Sequence, residues 1–297
     1  MAPSEKLLIT PIVTPGLLDK NASQAPGEFS LSIQNLLSML SGKVDGVMFG
    51  GTTGEGHKLT IPQFRVLADE VMRHKGAHNI LAGLLWKQEI LADQLDIATD
   101  LGITTLVLAI NHFGLAANPK RIETVLSRLK PGQKVYLYDM PGKHKTDKGL
   151  IRELASEPNI IWIKDSSWDP DHMQELLALA SDSFRVLHGS EDGYRNLPSS
   201  DRAKISWLVS GTSGLTSEAP GILRRFMLDP NPENDQARAE IWKIITHPKA
   251  VDGSWKWGDI RTFIVSGKTK LHLAGVIKWD NATETYGDEN EPFFTSN

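Results

Sequence analysis

The stretch KVYLYDMPGKHKTDKGLIRELASEPNIIWIK, residues 134–164, decides the fold. It opens on Lys134–Tyr138 and closes on Ile160–Lys164, short runs rich in β-branched and aromatic residues. Between them Lys148–Ser156 carries its apolar residues at helical spacing. Two strands joined by a single helix pair in parallel, because a parallel pair needs a long crossover rather than a tight turn. Ile160-Ile161-Trp162-Ile163 is apolar throughout, as a strand buried on both faces of such a sheet should be.

The same rhythm runs outward in both directions. Strand runs precede it at Leu8–Thr14, Gly46–Gly50, Asn79–Leu84 and Thr104–Ile110, and follow it at Phe184–His188 and Ile205–Val209. Helical runs occupy Phe29–Leu40, Ile61–His74, Gln88–Leu101, Pro119–Leu129, Pro170–Ala180 and Glu218–Met227. Asp169-Pro170 and Thr60 with Pro62 are helix starts. Gly76, Gly102 and Gly132 stand where left-handed residues end helices or shape the loops after them. Eight β/α units fit either a closed barrel or a large doubly wound sheet. The count favours the closed (β/α)8 barrel, the TIM barrel, an α/β fold. Glu191–Ala203 is the weak segment, with a poor helical pattern. Beyond the barrel, Asn234–Thr246, Trp255–Ser266 and Lys270–Lys278 read as helices. This divides the chain into a barrel over residues 1–225 and a C-terminal helical appendage over 226–297. The polar tail Tyr286–Asn297, anchored by Phe293-Phe294 alone, is expected to be poorly ordered.

Composition narrows the chemistry. The chain has 297 residues, a net charge of -4 and no cysteine. Thiol nucleophiles, disulfides, thiolate zinc sites and iron–sulfur clusters are therefore excluded. The mild acidity gives no reason to expect nucleic acid or an anionic membrane as partner. No signal peptide or membrane-length apolar run is visible, so a cytoplasmic protein is expected. His74 and His78 have the spacing of a metal pair, but Gly76 breaks the helix between them and a solvated pair is the simpler reading.

In a barrel the reactive groups sit at the C-terminal ends of strands. Lys164 ends an apolar strand, where desolvation would bring its pKa from ~10.4 toward ~7–8, the range of a nucleophilic amine. Such an amine attacks a ketone and leaves an iminium as electron sink. The bland alternative is a lysine that reaches solvent or pairs with Asp165. Tyr138 ends the neighbouring strand and can pass protons beside that amine, or simply pack with Tyr136. Gly50-Gly51-Thr52-Thr53-Gly54-Glu55 turns backbone N–H groups and hydroxyls toward a carboxylate, or is a capped turn. Gly189-Ser190-Glu191-Asp192 and Gly211-Thr212-Ser213-Gly214 occupy the place where many barrels hold phosphate, though Glu191 and Asp192 would repel one. His188 suits either a base or a core residue.

Taken in order, several segments resemble the dihydrodipicolinate synthase / N-acetylneuraminate lyase family of Schiff-base aldolases. They are Thr10–Pro15, Gly50–Glu55, Tyr138–Gly142, Ile161–Asp165, Gly189–Asp192 and Ser210–Ser217. The resemblance implies a TIM barrel with C-terminal helices, forming a homo-oligomer, a dimer or tetramer. It implies no metal and no organic cofactor. It makes Lys164 the imine-forming residue for pyruvate, Tyr138 the proton shuttle and Thr52 its hydroxyl partner. It makes Thr53 the pyruvate-carboxylate ligand, with Gly51, Lys143 and Thr216 as further substrate-binding residues and an aldehyde as second substrate. Within the family, Gly51-Thr52-Thr53-Gly54-Glu55 looks most like the dihydrodipicolinate synthase branch, particularly its plant type, where a glycine follows the Glu as Gly56 does here. That branch condenses pyruvate with aspartate semialdehyde in lysine biosynthesis. The sequence departs from that branch at Asn111-His112-Phe113, where Pro-Tyr-Tyr is usual, and at Asp139, where asparagine is usual. Lys143 replaces an arginine and so loses the bidentate fork. Leu84-Leu85-Trp86-Lys87 replaces a small stretch of the feedback-inhibitor pocket, so inhibition by lysine is not expected. An aldolase or dehydratase of a 2-keto-3-deoxy sugar acid, and a catalytically weak keto-acid binder, stay open beside it.

Overall fold

The computed structural model describes residues 7–16, 24–84, 90–112, 119–140, 146–167, 169–245 and 257–278. Eight parallel strands close into a barrel in sequence order, with β8 pairing back onto β1. They are β1 Leu7–Pro11, β2 Gly46–Phe49, β3 Asn79–Leu84, β4 Thr105–His112, β5 Lys134–Met140, β6 Ile160–Asp165, β7 Arg185–His188 and β8 Trp207–Val209. The helices between them are α1 Gly27–Leu40, α2 Ile61–His74, α3 Leu91–Asp100, α4 Pro119–Leu126, α5 Lys148–Leu154 and α6 Pro170–Leu179. The weak segment forms two short helices, α7 Glu191–Asn196 and α8 Ser199–Lys204. Then come α9 Ala219–Leu228, α10 Pro232–Ile245 and α11 Trp257–Leu273.

Strand alternation separates two apolar layers. Ile9, Met48, Leu81, Val107, Ala109, Tyr136, Tyr138, Trp162, Leu187 and Val209 pack together inside the barrel. Leu8, Val47, Phe49, Ala82, Leu106, Leu108, Leu137 and Ile163, one residue out of phase, pack against the helices. Local signals in the sequence account for the helix ends. Thr60 and Gln63 form a reciprocal capping box at the start of α2. Asp169 accepts from Asp171 N and His172 N ahead of Pro170. Gly76, Gly102 and Gly132 adopt φ of 53°, 68° and 87°.

The expected pair of helices at Trp255–Ser266 and Lys270–Lys278 is one helix, α11. Gly267, between the two expected runs, is a contact point. A methyl group there would lie 2.6 Å from Leu215 Cδ2, so the missing side chain lets α11 lie against the loop after β8. The helix ends later, at left-handed Gly275, where Val276 N and Ile277 N return to Leu271 O. β1 stops at Pro11 rather than Thr14, although Ile12 N still bonds Met48 O. Residues 286–297, the expected loose tail, lie outside the described residues.

Candidate active site

The register of β5 on β6 sets Tyr138 beside Lys164 and Asp139 beside Asp165. Tyr138 and Lys164 share the phase of Tyr136 and Trp162, so both point into the barrel. Below them Tyr136 and Trp162 stack with centroids 5.3 Å apart and close the floor. Lys164 is buried, with Nζ 4.1 Å from the centroid of the Tyr138 ring. Burial lowers its amine to about 8, against the opposing pull of Glu191 and Asp165. Burial pushes the Tyr138 phenol up to about 12, while hydrogen bonds from Thr52 and Ser166 work the other way. Tyr138 Oη lies 3.4 Å from Thr52 Oγ1. A proton-bearing phenol with a hydroxyl neighbour thus stands against an amine that is partly neutral near neutral pH.

The turn after β2 supplies Thr52. Gly50 has φ 66°, and a methyl group on Gly56 would sit 1.9 Å from Gly50 O, so the turn folds back onto itself only without side chains there. Glu55, at φ 52°, is the one non-glycine residue with positive φ among those described. Gly51 rides directly over Met48, whose Cε leaves no room for a methyl group. Thr53 Oγ1 faces Gly211 in the loop after β8, 3.0 Å from where a Cβ there would lie.

Lys164, Tyr138 and Thr52 are therefore brought together, with Thr53 and Gly51 in the same turn. Thr216 lies in the loop ahead of α9, where its Oγ1 accepts from Ala219 N. Lys143 and Phe113 lie outside the described residues, as do Leu85, Trp86 and Lys87. His188 is a core residue. It is buried, its Nδ1 accepts from Ser190 N, and burial together with the Lys164 cation lowers it to about 3. His74 and His78 turn to different partners, His74 to Ser30 and Glu70 and His78 to Leu37 O.

The outward phase holds a cluster that residue-by-residue reading missed. Asp139 Oδ2 and His172 Nε2 lie 2.9 Å apart, Thr146 Oγ1 donates to Asp139 Oδ1, and Asp165 Oδ1 is 4.0 Å from His172. All three of Asp139, Asp165 and His172 are buried. Burial raises the Asp165 carboxyl to about 6, partly offset by Ser167 and His172. Burial disfavours a charged His172, but the bond to Asp139 and the charges of Asp139 and Asp165 raise it above its ordinary value. The signal was partial: Asp139 and Asp165 each follow an inward residue by one position, so they meet behind the sheet, whereas nothing local pointed to His172. Gly189, singled out in the sequence as part of a loop, has a packing role that was not read there. A methyl group there would lie 2.0 Å from Ser166 Oγ and 2.6 Å from Lys164 Cε, so the end of β7 keeps the lysine stem in place.

A buried amine on one strand of a closed (β/α)8 barrel, facing a phenol on the next, is the arrangement of a class I, Schiff-base lyase. No family model matches the chain. It is 32% identical over 251 residues to 4-hydroxy-tetrahydrodipicolinate synthase of Stenotrophomonas maltophilia K279a, covering 81% of this chain and 79% of that one. It is 27% identical over 248 residues to the synthase of Xylella fastidiosa Temecula1, covering 79% of this chain and 74% of the other. By fold it matches dihydrodipicolinate synthase of Bacteroides thetaiotaomicron, at 22% identity and TM-score 0.72, covering 93% and 91% of the two chains. It also matches 2-keto-3-deoxygluconate aldolase of Picrophilus torridus, at 21% identity and TM-score 0.63, covering 88% and 92%. The chain belongs to the dihydrodipicolinate synthase / N-acetylneuraminate lyase family of class I lyases.

Proposed function

We propose that the protein is a 4-hydroxy-tetrahydrodipicolinate synthase, joining pyruvate to aspartate semialdehyde through an imine on Lys164. The observation that carries this is the Lys164–Tyr138–Thr52 constellation, a buried amine lowered to about 8 with a phenol and a hydroxyl at its side. In this reading neutral Nζ adds to C2 of pyruvate. Tyr138 passes a proton to the oxygen, which leaves as water, giving the iminium. Loss of a C3 proton gives the enamine, whose C3 forms the new bond to the aldehyde carbon while the aldehyde oxygen takes up a proton. Attack by the substrate's amino group on C2 then closes the ring and releases Lys164. Thr53 and the N–H groups of the turn hold the pyruvate carboxylate, with Gly51, Lys143 and Thr216 as further substrate contacts. The setting would be lysine biosynthesis in the cytoplasm, by a homodimer or homotetramer.

A second reading keeps the imine and reverses the reaction, cleaving a 2-keto-3-deoxy sugar acid to pyruvate. The replacement of Pro-Tyr-Tyr by Asn111-His112-Phe113 favours it, since it removes the tyrosine that the synthase relay draws from a partner subunit. The test is borohydride reduction with pyruvate, read by intact and peptide mass. An adduct on Lys164 is expected, and an unmodified Lys164 sinks both readings. Consumption of aspartate semialdehyde against pyruvate release from 2-keto-3-deoxygluconate then separates the two.

A further inference from the structure

We infer that Lys268, on the last helix, is a positioning residue for the candidate site: its buried ion pair with Glu55 clamps the turn that carries Thr52 and Thr53. Lys268 is 1% exposed, and its Nζ lies 2.5 Å from Glu55 Oε2. The other carboxylate oxygen takes Lys58 Nζ at 2.7 Å, so Glu55 is held from both sides. Burial pushes the Glu55 carboxyl up, but Lys268 and Lys58 more than offset this and keep it below its ordinary value. Glu55 is also the residue whose left-handed backbone closes the turn, with Glu55 N bonded to Thr52 O and Gly56 N to Gly51 O. A charge pair on a backbone that is itself held off its preferred conformation fixes a position rather than merely adding attraction.

Two further contacts show that α11 is seated at the barrel mouth. Gly267, one residue before Lys268, packs against Leu215 in the loop after β8. Phe263, one turn earlier, faces Gly211, and a methyl group on Gly211 would touch both the Phe263 ring at 3.3 Å and Thr53 Oγ1 at 3.0 Å. The helix that reads as an appendage is thus a wall of the site, tied to the β2 turn by charge and to the β8 loop by close packing. The catalytic consequence rests on the pyruvate reading above; the clamp itself does not.

The test compares Lys268→Met, Lys268→Arg and the double variant Glu55→Gln/Lys268→Met with the wild-type full chain. Hydrogen exchange by mass spectrometry reads the peptide over residues 50–58, and borohydride trapping reads the half-saturating pyruvate concentration. In Lys268→Met, exchange in 50–58 should rise at least tenfold while β5 and β6 peptides stay unchanged. The half-saturating pyruvate should rise about tenfold, and Lys268→Arg should restore most of both. The double variant removes both charges, so it should recover melting temperature without recovering the half-saturation. Unchanged exchange in 50–58, or recovery of pyruvate binding in step with melting temperature, overturns the clamp. Wild-type protein that pyruvate does not modify, with exchange still raised in Lys268→Met, leaves the clamp standing and removes the pyruvate reading.

Discussion

Lys164 carries a lowered amine because its head is held among buried neighbours rather than in solvent. Trp162 lies two residues below it on the same face, Leu187 flanks it on β7, and the Tyr138 ring covers it. Glu191 and Asp165 favour its charged form, so the value of about 8 is a balance, with burial the larger influence. The rate of imine formation should therefore rise with pH through about 8 and level off above, because only the neutral amine attacks. Asp165→Asn removes one of the two carboxylates that hold the proton on Lys164. The inflection should move to lower pH, which the pH dependence of borohydride trapping measures. An inflection that moves up, or does not move, would show that Asp165 does not act on the amine.

At the level of elements, the site is the meeting of strand ends with the loops that follow them. The strand order, the phase of Tyr138 and Lys164, and the helix caps at Thr60 and Asp169 were legible because each rests on a short local pattern. What was not legible depends on contacts distant in sequence. Asp139 meets His172 across 33 residues, and Glu55 meets Lys268 across 213, and neither pair leaves a local signature. The gap expected between Ser266 and Lys270 belongs here too, since the contact of Gly267 with Leu215 on another element has no local signature. Gly189 is a similar case, and it can be tested. Gly189→Ala puts a methyl group 2.6 Å from Lys164 Cε and 3.0 Å from Asp165 O, and the backbone oxygen cannot yield as a flexible side chain would. Lys164 must then turn out of its position over Tyr138. Trapping with pyruvate should fall at least a hundredfold, equivalent to about 2.7 kcal/mol of lost activation. The far-ultraviolet circular dichroism should stay that of the wild type. Wild-type trapping in this variant would place the lysine stem elsewhere.

For the molecule as a whole, the buried amine is a load on stability that the rest of the barrel carries. Its pKa is lowered from 10.5 when unfolded to about 8 when folded, so the native state holds fewer protons between those values. Stability should accordingly rise with pH across that window and be flat below about 8, where the lysine is charged in both states. The depression amounts to about 3 kcal/mol of destabilisation at neutral pH. Lys164→Met keeps the length of the stem and removes the charge. At pH 7 it should unfold several degrees higher than the wild type, while giving no adduct with pyruvate. The gap should close as the pH approaches 10, since the native wild type then holds a neutral amine as well. Thermal melts of the two proteins at pH 7, 8.5 and 10 measure it. Equal melting temperatures at pH 7, or a gap that widens with pH, would mean that the amine is solvated in the native state. Its nucleophilicity at neutral pH would then need another source.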